Sequence, residues 1–185
     1  MSKFLFQDDF INRRKTEYAI ITYLPFNLDQ AVHPFREKYD PIYNQVASHI
    51  TLVFPFLTEK PLDEISVLID SVIAKHNILP IELDSIADFY PHSPVIYWAV
   101  KENHFLRELY INLYAKLEIP IPHKNFVPHV TLAREISTHR VETVKDAIAS
   151  YLPKETYRPT ALDLVTPLAN FRWVSVRTFS FDSSL

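Results

Sequence analysis

The 185-residue chain contains no glycine, and this absence limits both the turns and the phosphate sites that it can form. At the usual frequency of about 7%, roughly thirteen glycines would be expected. Gly-rich loops that wrap phosphate with backbone N–H groups, such as the P-loop and the dinucleotide-binding fingerprint, are therefore excluded. Tight turns have to use Asn, Asp and Pro instead. If the protein binds a phosphate, side chains have to supply much of the binding.

The rest of the composition narrows the class of protein further. The length suits one domain, and 48% apolar residues are ample for a core. The absence of cysteine excludes disulfides, thiolate metal sites and a cysteine nucleophile. A formal net charge of −3 argues against a general polyanion binder, which normally carries a basic excess. A small charged ligand or a short nucleic-acid end remains compatible with this charge.

The N-terminal segment predicts no targeting to a membrane or to an export pathway. It carries acidic residues where a signal peptide needs an unbroken apolar stretch. No apolar run approaches the ~20 residues of a membrane span. We therefore expect a cytoplasmic protein, a monomer, with no membrane partner. Residues 1–16, with their basic run 13–15, are interpreted as an N-terminal arm outside the core.

Hydrophobic periodicity predicts alternating strands and helices. The predicted strands cover 18–24, 49–56, 80–89, 95–101, 128–135, 161–165 and 171–181, and the predicted helices cover 28–39, 61–77, 105–117 and 140–152. Asn27 is suited to cap the first helix, and Asn77 to end the second in the left-handed conformation. Pro55 is expected to stop the second strand.

The order of these elements repeats after 80 residues, which predicts an internal duplication. The repeats cover 18–89 and 95–167, followed by a final strand at 171–181, all within a single domain over 17–185. Short turns between consecutive strands favour antiparallel pairing. We predict an α+β, bilobal fold with two largely antiparallel sheets, outer helices and a central groove.

Each repeat carries a His-x-Thr-Leu motif in a predicted strand, at 49–52 and at 129–132. Residues two apart in a strand face the same side, so His49 and Thr51 share one face, as do His129 and Thr131. The residues between and after them face the core. If a pseudo-twofold axis relates the lobes, two imidazoles and two hydroxyls meet across a cleft.

Two imidazoles and two hydroxyls suit the cleavage of a phosphodiester by in-line displacement. One neutral histidine takes a proton from the attacking water or ribose hydroxyl, and the other, protonated, gives a proton to the leaving oxygen. Thr51 and Thr131 can donate hydrogen bonds to the non-bridging phosphate oxygens. This scheme needs no metal and no cofactor. One such motif alone is typical of a strand with a satisfied histidine, whereas two at equivalent positions favour a function.

The paired motif resembles the 2H phosphoesterase superfamily, specifically its 2′-5′ RNA ligase-like branch, which is marked by two His-x-Thr/Ser motifs. The similarity is strongest over 126–134, FVPHVTLAR, and extends over about 17–182. It implies a central groove and 2′,3′-cyclic phosphodiesterase or related RNA-processing chemistry. Its implied partners are a nucleotide cyclic phosphate or an RNA or tRNA end. The nucleotide-independent ligation of this family is interpreted as the reverse of a hydrolytic step.

Two positions near the motifs qualify this resemblance. After the first motif the family often has a basic or polar residue and a glycine, whereas this chain continues with VFPF at 53–56. Arg134 matches the family pattern and is a further candidate phosphate ligand. Strict strand alternation places it on the face of Leu132, away from Thr131, so it reaches the cleft only if the strand ends or bulges there.

The remaining histidines and aromatic residues are weaker candidates. His33, His76, His104 and His139 are expected at the surface or at helix ends, and His92 and His123 in loops near the cleft. Phe26, Phe56, Tyr90 and Phe126 flank strand ends and are either core residues or a wall for base stacking. The alternative function is a non-catalytic module that binds a nucleotide or RNA end in the same groove. A purely structural role requires both motifs to be coincidental.

Overall fold

The computed structural model describes residues 15–122 and 125–181, which form four α-helices and eight β-strands. In chain order these are β1 (Thr16–Tyr23), α1 (Phe26–Tyr39), β2 (His49–Thr58), α2 (Leu62–Ile73), β3 (Ile81–Asp88), β4 (Val95–Val100), α3 (His104–Leu117), β5 (His129–Arg134), α4 (Val141–Ala149), β6 (Glu155–Tyr157), β7 (Ala161–Pro167) and β8 (Trp173–Ser180). Residues 1–14 of the predicted arm lie outside the described residues. Thr16, which was assigned to the arm, is already in β1.

All eight strands belong to one antiparallel sheet with the order β6-β3-β4-β5-β2-β1-β7-β8. The prediction of an antiparallel α+β chain is confirmed, but the prediction of two separate sheets is wrong. The two motif strands, β2 and β5, pair with each other where Ile50 lies opposite Val130. Since the inner strands of the two halves share this pair, the halves form one continuous sheet.

The elements can be written as two similar series. The first is β1-α1-β2-α2-β3 and the second is β4-α3-β5-α4-β7, with the short strand β6 between α4 and β7. In the sheet, β2 and β5 are the central neighbours and β1 and β4 flank them, so the two series are arranged symmetrically about the centre. The short strand β6 was missed because three residues are too few to show an alternating pattern.

The main core lies between the sheet and the helices. It includes Trp98 of β4, which is 1% exposed, and the leucine face of α3 that the sequence indicated. A second, smaller cluster of Ala19, Ile21 and Val165 lies on β1 and β7, where Val46 and Trp173 pack against it. Within the described ranges, no helix is both long and apolar enough to cross a membrane.

Several predicted boundaries were wrong for local reasons. Pro25, rather than Asn27, precedes α1, and its extended backbone leads directly into the helix without a side-chain cap. The helix α2 ends at Ile73 with Ala74 in right-handed conformation, so Asn77 does not end it. The strand β2 continues past Pro55, because the pairing with β1 is irregular there and no regular ladder bond is required from the proline.

Left-handed positions are occupied by residues other than those expected. Among the described residues, Glu118, Glu135 and Phe171 have φ of 59°, 56° and 63°. The expectation that Asn, Asp and Pro would take over the turns is wrong at these three positions. For residues with a Cβ this conformation costs about 1–2 kcal/mol. The backbone is therefore strained at these three positions, where glycine would not be.

We expect Glu118→Gly to stabilise the protein. Glu118 caps α3 with φ 59° and ψ 35°, a conformation that glycine adopts without steric cost. The exposed ion pair of Glu118 with Lys60, at 3.7 Å, contributes little. Relief of about 1–2 kcal/mol of strain exceeds the entropic cost of introducing glycine, about 0.4–1 kcal/mol, so the free energy of unfolding in urea is expected to rise by about 0.5–1 kcal/mol. Glu118→Ala removes the same ion pair without relieving the strain and should not stabilise; equal gains for both variants would contradict this account.

Candidate active site

The candidate site is built on the central strand pair. Ile50 and Val130 are fully buried and pair in antiparallel fashion, so the residues before one lie beside the residues after the other. His49 is thereby placed on the side of Thr131, and Thr51 on the side of His129. The histidine and threonine of each motif are only partly buried and face away from the main core.

The structure brings all five predicted site residues into one groove. The groove has a volume of about 950 Å³, and its lining includes His49, Thr51, His129, Thr131 and Arg134. The polar faces of the two repeats therefore form a single site. In the part of the chain that the structure describes, no group of three or more His, Asp or Glu side chains is arranged to hold a metal ion.

Both histidine rings are held in the same way by the backbone. His49 Nδ1 lies 2.8 Å from the Ala47 carbonyl oxygen, and His129 Nδ1 lies 2.8 Å from the Val127 carbonyl oxygen. A carbonyl oxygen only accepts, so Nδ1 carries the hydrogen in both rings. In the neutral ring the lone pair is then at Nε2, which is the nitrogen free to take a proton.

The surroundings of the two imidazoles favour the neutral form. The pKa of His49 is lowered to about 4, chiefly by burial; the positive charges of Arg36 and Arg134 act in the same direction, and the Ala47 hydrogen bond opposes them. Burial also lowers the pKa of His129, again with a contribution from Arg134. Without a bound anion, both rings are therefore neutral at pH 7.

Arg134 reaches the groove because β5 bulges. Thr131 pairs with Tyr97 and Ala133 with Ile96, so β5 uses two residues where β4 uses one. Leu132 and Ala133 are consecutive and both fully buried, which shifts the alternation by one residue. Strict alternation, which placed Arg134 away from Thr131, fails at this bulge.

The first motif has a bulge at the equivalent place. Thr51 pairs with Ile21 and Val53 with Ile20, while Leu52 and Val53 are both fully buried. Phe54 thus lines the groove at the position that corresponds to Arg134, 80 residues earlier. The groove is therefore asymmetric, with a cation after one motif and an aromatic ring after the other.

Aromatic side chains that the sequence did not single out surround His129. The rings of Phe89 and Tyr97 stack with centroids 4.2 Å apart, and each has its centroid 5.0 Å from that of the His129 ring. Further along the groove, Tyr110 stacks on Phe126 at 4.2 Å. Tyr97 pairs directly with Thr131 in the neighbouring strand, a contact that local sequence patterns do not show.

The weaker candidates are divided between the groove and other places. His92 and Phe126 line the groove, whereas His123 lies outside the described residues. Phe26 is 80% exposed, and Phe56 packs against Tyr18. The Tyr90 hydroxyl donates to the Ile136 carbonyl. The groove lining does not include the four histidines predicted at surfaces or helix ends, namely His33, His76, His104 and His139.

Comparisons with known proteins agree with this architecture. A model of the 2′-5′ RNA ligase superfamily matches residues 24–170. A Geobacillus thermodenitrificans protein named "Putative phosphoesterase" is 31% identical over 121 residues, which cover 65% of this chain and 70% of that protein. A Bacillus pumilus protein of the same name is 27% identical over 166 residues, covering 88% of this chain and 96% of that protein.

A solved structure shares the fold. E. coli LigT, crystallised with 3′-AMP, aligns with a TM-score of 0.67 and 18% identity over 91% of this chain and 99% of LigT. The family model and the sequence relatives place the chain in the 2H phosphoesterase superfamily. Within that class the chain belongs to the 2′-5′ RNA ligase superfamily, whose model spans most of its length. This membership supports phosphoesterase activity.

We expect the stability of the protein to decrease in acid through His49. Its pKa is about 4 when folded, against about 6.5 when unfolded, so the unfolded chain binds the proton first as the pH falls. This contribution to the free energy of unfolding is complete above about pH 6.5 and is lost towards pH 4. Between pH 7 and pH 5 the loss amounts to about 1–2 kcal/mol.

Urea unfolding at each pH provides the test. The loss of free energy of unfolding between pH 7 and pH 5 should shrink by that amount in His49→Gln, relative to wild type and to His33→Gln, a variant at an exposed position of α1. If the free energy of unfolding of His49→Gln depends on pH as in wild type, the groove does not lower the pKa of the His49 imidazole.

Proposed function

We propose that the protein is a metal-independent phosphoesterase that opens 2′,3′-cyclic phosphates on a nucleotide or an RNA terminus. The observation that carries the proposal is the groove in which His49 and His129 share one tautomer and lie with Thr51, Thr131 and Arg134. The two histidines are the proposed catalytic residues, and the two threonines and Arg134 are the proposed phosphate ligands.

In the proposed reaction, a water oxygen attacks phosphorus and the bond from phosphorus to one ribose oxygen breaks. Nε2 of one histidine takes the proton of the attacking water, and the other, protonated histidine gives its proton to the leaving ribose oxygen. The phosphate anion lies between the rings, where its negative charge raises their pKa and allows one of them to hold the required proton. The neutral histidine gains a proton and the protonated histidine loses one. The pair therefore still holds one extra proton after the reaction, but on the other ring.

The threonines and Arg134 stabilise the charge that develops on the phosphate. A threonine hydroxyl can donate to a non-bridging oxygen, and the planar guanidinium can donate two parallel N–H bonds. With Phe54 opposite, this charge stabilisation comes from one side of the groove. The partly exposed ring of Phe89, which lines the groove, provides a flat apolar surface that suits a nucleobase.

The structural neighbour supports a nucleotide substrate. E. coli LigT has been crystallised with 3′-AMP, which is the chemical product of opening 2′,3′-cyclic AMP at its 2′ oxygen. It has also been crystallised with phosphate. A mononucleoside 2′,3′-cyclic phosphate is therefore the first substrate to assay.

Replacement of either histidine is expected to abolish most turnover. General acid–base catalysis typically contributes 10²–10⁴-fold, so His49→Ala and His129→Ala should each lower kcat on 2′,3′-cyclic AMP by about that factor. Thr51→Val and Thr131→Val should each lower kcat/KM by about tenfold. His33→Ala, a change on the exposed side of α1, should leave both constants unchanged. Near-normal turnover by His129→Ala would overturn the proposed role of the pair.

The pH profile provides an independent measurement. Because both imidazole pKa values are lowered in the free protein, kcat/KM is expected to follow a bell with its optimum below pH 6.5. The bound anion raises these pKa values, so the optimum of kcat should lie at higher pH. A kcat/KM optimum well above pH 7 would contradict the lowered pKa of the two histidines. Circular dichroism at each pH excludes unfolding as the cause of an acidic decline.

The second candidate is a binding module without turnover. The observation that favours it is Phe54, an aromatic ring at the position equivalent to Arg134, which leaves one motif without a cation. Calorimetric binding of 3′-AMP, combined with no hydrolysis of 2′,3′-cyclic nucleotides, cyclic-phosphate RNA ends or ADP-ribose cyclic phosphate, would favour this module over the enzyme.

A further inference from the structure

A buried charged network lies behind the groove, on the face of α1 that packs against the core. The buried positions Leu28 and Val32 are followed at the same helical spacing by Arg36, which is only 6% exposed. Asp40, at the end of this helix, is 2% exposed. Buried charges are costly unless they are paired and hydrogen-bonded, so the contacts of this pair are informative.

Arg36 joins three segments around the first motif. Its Nε and Nη2 donate to Asp40 Oδ2 at 3.4 and 3.3 Å, and Nη2 also donates to the Tyr43 carbonyl at 3.3 Å. Its Nη1 donates to Ser48 Oγ at 3.1 Å. Ser48 immediately precedes His49, so this guanidinium links the helix end to the start of the motif strand.

The second oxygen of Asp40 faces the other half of the sheet. Oδ1 accepts from the Ile42 N–H at 3.3 Å and lies 3.3 Å from Arg134 Nε. Arg134 Nε is buried and makes no hydrogen bond within the described residues, so Asp40 is the charge that compensates it. The side chain of Arg134 is 37% exposed, and the residue lines the groove.

Two carboxylates accompany the two guanidiniums of this network. Asp40 stands between Arg36 and Arg134, and Asp29 accepts a hydrogen bond from the Ser48 N–H at 2.9 Å. The side chain of Arg36 is buried, whereas that of Arg134 is partly exposed to the groove. Of the two guanidiniums, Arg134 is therefore the one that presents its positive charge to the groove, where we place the anion.

We propose that Asp40, itself held by Arg36, is a positioning residue that orients the guanidinium of Arg134 toward a phosphate in the groove. Asp40 engages the Nε edge and leaves the terminal N–H groups for the anion. This role rests on the proposed function of Arg134 as a phosphate ligand. It adds a second connection between the two halves of the sheet, whose ladder in the described residues is the single pair of Ile50 and Val130.

A double-mutant cycle tests the proposal. Asp40→Asn keeps the shape of the side chain and removes its charge, and Arg134→Gln removes the group that it orients. Asp40→Asn alone should lower kcat/KM on 2′,3′-cyclic AMP by about 10- to 100-fold, because a small misplacement of a ligand is costly. In the Arg134→Gln background the same change should cost less than about threefold, because the two residues act as one unit.

Matched variants separate positioning from a structural effect. Asp84 lies on β3, outside the groove lining, and its carboxylate pairs with Lys154. Asp84→Asn should therefore leave kcat/KM unchanged, both in wild type and in Arg134→Gln. Arg134→Lys keeps the charge without the Nε edge, so its loss should approach that of Arg134→Gln. This last comparison holds even if Asp40→Asn fails to fold. A kcat/KM of Arg134→Lys equal to that of wild type would overturn the proposal.

The same variants separate failure of this proposal from failure of the proposed function. If Asp40→Asn costs as much in the Arg134→Gln background as in wild type, Asp40 does not act through Arg134, while the phosphoesterase activity stands. If wild type hydrolyses no cyclic phosphate, the cycle is repeated with Kd for inorganic phosphate, where non-additive losses still support positioning. An Arg134→Gln variant with normal turnover and normal phosphate binding overturns the role of both residues.

Discussion

The pairing of Ile50 with Val130 is the contact on which the site depends. These two fully buried residues join the inner strands of the two repeats into one sheet. The neighbours of a buried strand residue face the opposite side, so this one pair places both histidines and both threonines on the same open face. A duplicated chain whose motif strands did not pair would present two half-sites instead of a groove.

The two bulges then make the groove asymmetric. In each motif strand two consecutive buried residues follow the threonine, and the residue after them turns back to the groove. One repeat places Phe54 there and the other Arg134. The shared backbone geometry accounts for the similar surroundings of the two histidines. The difference between Phe54 and Arg134 places the positive charge on one side of the groove only.

Periodicity predicted the four helices, seven of the eight strands and the groove-facing motifs, because these depend on local patterns of apolar residues. The missed elements depend on long-range contacts. The edge strand β6 is only three residues long, and the single sheet follows from a pairing between residues 80 apart in the chain. Arg36 and Asp40 were not identified, although a buried charge at the helical spacing of Leu28 and Val32 was a visible signal.

The sequence by itself determined which chemistry is available. The absence of glycine excludes a Gly-rich phosphate loop, and the two His-x-Thr motifs supply two imidazoles and two hydroxyls at strand spacing. The tertiary structure alone decided how these groups combine. Burial and nearby guanidiniums set the protonation of the imidazoles, and an irregular strand register brought Arg134 into the groove. Such effects arise from the distance and dielectric between groups remote in the chain, which local periodicity does not encode.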